Sequence, residues 1–255
     1  MIDVINLCTG YEKKQVLHNI CVSFPKGKIT VLIGPNGCGK STLLKTFVRI
    51  NSHTSGEIWI QEKSIESYSS NELAKQIAYL PQKKQTPDIS VLRMVLHGRF
   101  PYLHYPRKYR EEDIVMAKHA LARVGLSAFE EENINRLSGG MQQNVYIAMA
   151  LAQDTQTILL DEPTTYLDIS HQLRLMKMMR TLADEGKTII MVLHDLSQAF
   201  RVADKLVVLK EGKVLATGTP KQMYENKKHI ITDTFDVEME RIETKTGWHY
   251  ICEDI

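Results

Sequence analysis

Residues 34–42, Gly34-Pro35-Asn36-Gly37-Cys38-Gly39-Lys40-Ser41-Thr42, fit the pattern G-x-x-x-x-G-K-[ST], which is suited to holding phosphate. The glycines let the backbone curl until its N–H groups point inward at phosphate oxygens. The helix that opens behind them turns its positive dipole end to the same point. Lys40 is placed to reach the β- and γ-phosphates of a nucleotide, and the Ser41 hydroxyl to ligate Mg²⁺. Cys38 reads as a small loop residue rather than a nucleophile.

A second constellation is the acidic pair Asp161-Glu162 behind the apolar run Ile158-Leu159-Leu160. If that run is a strand, both carboxylates emerge at the carboxyl edge of the sheet, where open α/β sheets bind ligands. Asp161 is suited to holding Mg²⁺ through a water. Glu162 is suited to orienting or deprotonating an attacking water, because phosphoryl transfer relies on positioning and electrostatics. A phosphate site alone leaves kinase, GTPase and ATPase open. The chain has no Asn-Lys-x-Asp guanine reader, and nothing resembles a pocket for a second kinase substrate.

These groups need a scaffold, and the apolar runs supply one. Ile29–Ile33, Ile158–Leu160, Ile189–Leu193 and Leu206–Leu209 are short and unbroken, as expected of strands buried on both faces of a largely parallel sheet. Asp168 can cap a helix in which Leu173, Met176, Met179 and Leu182 recur at helical spacing, with Gly186 near its end. Val22 and Phe24, then Ile58-Trp59-Ile60, suggest a small antiparallel sheet beside the parallel one. Between Gln82 and about Asp154 strand signals vanish; Ser90 to Gly98, Arg110 to Gly125 and a helix from Met141 read as a helical insertion. The hydrophilic end from Glu238 to Ile255 carries no clear pattern.

Composition narrows the classes. With 32 Lys and Arg against 30 Asp and Glu, the net charge of +2 offers no basic excess for binding nucleic acid. The 255 residues can bury a sizeable core in one large domain. Cys8, Cys21, Cys38 and Cys252 lie far apart with neither zinc nor C-x-x-C spacing, which fits a reducing compartment. No run approaches the ~20 apolar residues of a membrane span, and the N-terminus lacks a signal-peptide core. Any membrane role is expected to come through a partner.

Leu137-Ser138-Gly139-Gly140-Met141 precedes a helix and makes a second anion-friendly helix start. Here the chain resembles the ATP-binding cassette (ABC) ATPases, whose signature is usually L-S-G-G-Q; four of the five residues match. The resemblance covers nearly the whole chain. It implies an α/β fold of the P-loop NTPase type, a RecA-like parallel core with an antiparallel β subdomain and an inserted helical subdomain. Residues 1–82 and 155–255 would form the nucleotide-binding core of a single domain spanning 1–255, and residues 83–154 the helical signature subdomain.

By the same resemblance, Tyr11 stacks on adenine, and the stretch Gly34 to Thr42 binds ATP. Gln82, in Tyr79-Leu80-Pro81-Gln82, senses Mg²⁺ alongside Ser41 and Asp161. Glu162, His194, Gln82 and Lys40 would carry catalysis, with His194 contacting the γ-phosphate. Two monomers pack head to tail around two ATP molecules in this family. Ser138, Gly139 and Gly140 then complete the partner's site, and Thr165-Tyr166-Leu167-Asp168 crosses the interface.

Asp161 to Gln172 (DEPTTYLDISHQ), Val95 to Tyr102 (VLHGRFPY) and Val192 to Leu196 (VLHDL) look like the ATPases of bacterial importers for ferric siderophores, haem and cobalamin, the siderophore branch above all. That likeness implies a peripheral subunit on the cytoplasmic face of the membrane. A homodimer would bind two permease subunits fed by a substrate-binding protein, with the region of Tyr102 and Tyr105 near the permease. Haem or cobalamin import is the alternative within this class. A non-transport cassette acting on ribosomes or DNA is the alternative outside it, but such proteins usually carry two cassettes or a long coiled-coil insertion, and this chain has neither. The sequence also departs from its family: Met141 replaces the usual Gln, and Gln142 and Asn144 stand where Arg is frequent. Met141 lacks the paired donor and acceptor of an amide, so weaker ATP-driven closure is expected.

Overall fold

A computed structural model describes residues 1–11, 14–82, 86–165, 167–244 and 247–254. It divides into two units, residues 1–67 with 176–255, and residues 68–175. Helix Ile169–Asp184 carries the chain from the second unit back to the first.

In the first unit, strand Ile29–Ile33 pairs in parallel with both Thr188–Val192 and Lys205–Lys210. All five residues of Ile29–Ile33 and of Thr188–Val192 are buried, which explains why these runs show no polar alternation. Lys213–Gly218, not evident from the sequence, adds an antiparallel edge to Lys205–Lys210. The expected antiparallel sheet is present, in the order Lys14–Phe24, Ile2–Tyr11, His53–Ile60, Lys63–Ser64. Its two long strands slip register between Val4 and Gly10, where Asn6 has a φ of 49° and, on the facing strand, Asn19 one of 52°. Asparagine tolerates this left-handed conformation better than most residues. Helix Lys40–Phe47 buries Leu43, Leu44 and Phe47, and the Phe47 ring meets Phe24 edge-on at 5.4 Å.

The C-terminal end of this unit is more ordered than its sequence suggested. Helix Pro220–Phe235 opens with a Thr219/Gln222 capping box and proline in its first turn. An antiparallel hairpin, Val237–Thr244 with Gly247–Asp254, then packs Tyr250 against Phe200 at 4.7 Å and Tyr224 at 5.6 Å. Among the described residues of this hairpin only Met239 and Tyr250 are buried, too few to produce a readable period-2 pattern.

In the second unit, Ile77–Leu80 pairs in parallel with Thr157–Asp161, Leu80 facing Leu160. Ile77–Leu80, a four-residue strand, is not evident from the sequence. Helices Val91–Leu96, Glu111–Arg123 and Gly139–Ala152 form the helical region, with Val91, Val95, Leu121, Val145 and Ala148 in its core. A buried ion pair sits there: Arg99 Nε donates to Asp113 at 3.0 Å, Arg99 also donates to the Ala152 carbonyl, and its guanidinium stacks 3.9 Å from the Tyr102 ring centroid. A buried charge is tolerated when paired and hydrogen-bonded in this way. The third helix begins at Gly139 rather than Met141, because Ser138 caps it by accepting the Met141 N–H. Among the described residues no helix is long and apolar enough to cross a membrane.

Candidate nucleotide site

The first unit builds a phosphate loop between strand Ile29–Ile33 and helix Lys40–Phe47. Two of its glycines are required by geometry. Gly34 has a φ of 155°, and a Cβ there would stand 2.1 Å from the Leu209 carbonyl oxygen; Gly39 has a φ of 107°, and its Cβ would press on Leu17 at 2.4 Å. Neither position accepts a side chain. Asn36 and Gly37 are exposed at the tip, while Pro35 is half-buried.

Lys40 is buried, and its Nζ donates to the carbonyls of Gly34 at 2.7 Å and Pro35 at 2.9 Å. The ammonium thus rests on the loop it would serve. Cys38 is buried beside it, and that burial raises its thiol pKa above the usual range, as befits a loop-filling residue. Ser41 stands in the helix's first turn, and Thr42 beside it is buried. Tyr11 ends its strand half exposed, its hydroxyl 3.5 Å from Thr42 Oγ1. His194 is exposed just beyond strand Thr188–Val192. The Leu193 N–H donates to Leu32, so His194 emerges at the same carboxyl edge as the phosphate loop.

The second unit gathers the carboxylates and the signature. Asp161 is buried at the end of its strand and accepts a hydrogen bond from the Tyr79 hydroxyl at 3.1 Å. Glu162 has a φ of 53°, a left-handed conformation that is uncommon for a side-chain-bearing residue. Gln82 Nε2 donates to Glu162 Oε2, and Thr165 Oγ1 lies 3.4 Å from that oxygen. Gln143, on the signature helix, donates to the Pro163 carbonyl at 2.8 Å. Ser138 and Gly139 are exposed, and Gly140 is half-buried.

Asp168 caps helix Ile169–Asp184, accepting the His171 N–H and the Ser170 hydroxyl at 2.8 Å each. The His171 backbone N–H, then Ser170 and the His171 ring, hold its carboxyl well below the usual range, so it is an anion at neutral pH. Of the apolar residues on that helix, Met176, Met179 and Leu182 are buried, but Leu173 is exposed together with Ile169. Tyr166 lies outside the described residues.

Gln82 and Glu162, 80 residues apart in sequence, therefore meet in space. Three contributors were not selected from the sequence as site residues: Tyr79, Gln143 and His171. None obeys a spacing rule that marks it, although Tyr79 and His171 fall inside quoted motifs.

An ordered phosphate loop, an acidic pair at a strand end and a capped Ser-Gly-Gly helix start describe a nucleotide-hydrolysing cassette, and residues 17–165 match the ABC transporter family. The chain belongs to that family. It is an ABC ATPase, and the nucleotide it binds is ATP. This ABC ATPase is 41% identical over 234 residues to the petrobactin import ATP-binding protein FpuD of Bacillus anthracis, across 91% of this chain and 85% of that one. It is 43% identical over 219 residues to the ferric enterobactin transport ATP-binding protein FepC of Escherichia coli, across 85% of this chain and 81% of that one. A structure assigned to a metal-chelate type ABC transporter in an inward-facing conformation superposes with a TM-score of 0.85 at 27% identity. That match covers 99% of this chain and 97% of the other.

Proposed function

We propose that this ABC ATPase powers uptake of a ferric siderophore from the cytoplasmic face of a bacterial membrane. The observation that carries the cargo class is its likeness, over nearly its whole length, to ATPases named for petrobactin and enterobactin. A homodimer would close on ATP and reopen on hydrolysis while seated on two permease subunits fed by a substrate-binding protein; nucleic acid has no part in this cycle. Binding drives closure only by the difference in ATP affinity between closed and open states. Residues 1–82 and 155–255 act as the nucleotide-binding core in this reading, and residues 83–154 as the signature arm.

The chemistry rests on the contact between Gln82 and Glu162. It holds the Glu162 carboxylate in place, ready to orient and deprotonate the attacking water. Lys40 exchanges the carbonyls of Gly34 and Pro35 for phosphate oxygens, a trade of neutral for charged acceptors that favours binding. Tyr11 offers its ring face to adenine, and Gly34 to Thr42 offer backbone N–H groups to phosphate. His194 approaches the γ-phosphate. Ser41, Asp161 and Gln82 would hold Mg²⁺, for which hydroxyl, carboxylate and amide oxygens are suited donors. When bound, that ion would neutralise charge on the β- and γ-phosphates. Ser138, Gly139, Gly140 and Asp168 face the nucleotide of the second copy.

The test is uptake of radiolabelled iron, offered in parallel as ferric siderophore and as haem, in a strain lacking the gene. Complementation uses wild type or Glu162→Gln, which is expected to slow ATP hydrolysis about 10²–10⁴-fold. Siderophore uptake rescued only by wild type supports the proposal. Loss confined to haem uptake moves the protein to haem import, and unchanged uptake of both rejects the cargo assignment.

A further inference from the structure

One imidazole stands between two parts of the second unit that the sequence keeps apart. On one side, His171 Nδ1 lies 2.8 Å from Asp168 Oδ2, while the His171 N–H donates to Oδ1 of the same carboxylate. A carboxylate only accepts, so Nδ1 carries the proton and donates it. On the other side, the ring edge lies against Gly140. A Cβ at that position would come within 3.0 Å of His171 Cδ2 and 3.1 Å of Nε2. The Gly139–Ala152 helix makes a further contact one turn along, where Gln143 donates to the Pro163 carbonyl. Residues 140 and 143 share a helix face. The start of the signature helix is therefore held at two points to the segment from Pro163 to His171, which directly follows Glu162.

We propose that His171 is a positioning residue for ATP hydrolysis: its ring sets the spacing between the Asp168 carboxylate and the Gly140 backbone. The inference rests on the reading of Asp168 and Ser138–Gly140 as groups that face the second copy's nucleotide. Gly140 must then be glycine for two reasons, the approach of phosphate from outside and the seat of this ring from within. Because the ring acts on the partner's nucleotide and not on the chain's own phosphate loop, its loss separates turnover from binding.

The test is made on the purified protein with three readouts: steady-state turnover, equilibrium binding of a fluorescent ATP analogue, and thermal melting. His171→Ala is expected to lower kcat about tenfold, the scale of one hydrogen bond to a charged group, with analogue affinity unchanged within about twofold. His171→Asn keeps an N–H donor near the position of Nδ1 and restores kcat to within about threefold of wild type. Gly140→Ala slows turnover by pressing a methyl group onto the ring, and adding His171→Ala to it costs nothing further.

A His171→Ala protein with wild-type kcat overturns the proposal. So does a His171→Asn protein as slow as His171→Ala while melting like wild type, and so do additive losses in the double variant. Glu162→Gln run alongside keeps the two readings apart. Wild-type turnover in Glu162→Gln would sink the catalytic reading itself, whereas a dead Glu162→Gln beside an intact His171→Ala would sink only the role of His171.

Discussion

Among the described residues two helix starts carry glycine, and they are built in opposite ways. In the phosphate loop Gly34, Gly37 and Gly39 all have positive φ, and Gly34 and Gly39 are walled in by Leu209 and Leu17. The loop is filled from within by Lys40, folded onto its carbonyls, and by the buried Cys38. At the signature, a Cβ on Gly139 would meet nothing within 4 Å, and one on Gly140 would meet the His171 ring. Backbone conformation and packing explain the glycines of the first site completely. They explain only half of the second, and Gly139 has no internal reason to be glycine. That leaves the Gly139 backbone open to approach from outside, which is what the proposal of a half-site completed by a second copy requires.

The contrast can be broken most directly at Gly34. Gly34→Ala drives a methyl group into backbone at a φ that side chains avoid, and a stability loss of at least about 3 kcal/mol is expected in urea unfolding. Nucleotide binding should vanish with it. A Gly34→Ala protein that unfolds like wild type would show that the loop is not self-determined.

Gly139→Ala probes the other site. Its stability should stay within about 1 kcal/mol of wild type, and could rise, because alanine is the better helix residue. ATP turnover should nonetheless fall about tenfold, the scale of one lost hydrogen bond to a charged group. If Gly139→Ala destabilises the fold as Gly34→Ala does, the two helix starts are alike and the comparison fails.

The smallest effect is expected at Met141, a half-buried residue one step beyond the glycines. Met141→Gln restores an amide to the open face and should raise turnover or apparent ATP affinity by about two- to threefold, less than one full hydrogen bond supplies. Unchanged values for both would mean that the departure from the usual signature carries no energetic weight. In this structure Gln142 donates to the Leu137 carbonyl at 3.1 Å. The uncharged residue at that position serves the loop backbone.

Legibility followed the range of the interactions. Runs buried on both faces, such as Ile29–Ile33 and Thr188–Val192, were readable because continuous apolar residues have few other uses. The strand Ile77–Leu80 was not readable, since Ala78 and the half-buried Tyr79 interrupt the aliphatic run that marks the other parallel strands. The C-terminal hairpin was hidden because Glu238, Glu240, Glu243 and Glu253 crowd its exposed positions, and aromatic contacts from Phe200 and Tyr224 supply its anchorage. Leu173 fitted a buried helical stripe by spacing yet is exposed beside Ile169. Periodicity reports which residues share a face, not where along the helix its cover ends.

The sequence by itself determined the phosphate loop and the family. Both are written in contiguous residues whose backbone preferences act locally: glycine for positive φ, Lys40 and Ser41 one step behind, Ser138 as a cap. Tertiary structure alone decided that Gln82 reaches Glu162, that Tyr79 supports Asp161, and that His171 sits against Gly140. Those contacts join residues tens of positions apart, and their geometry exists only after strand pairing and helix packing have closed the chain between them.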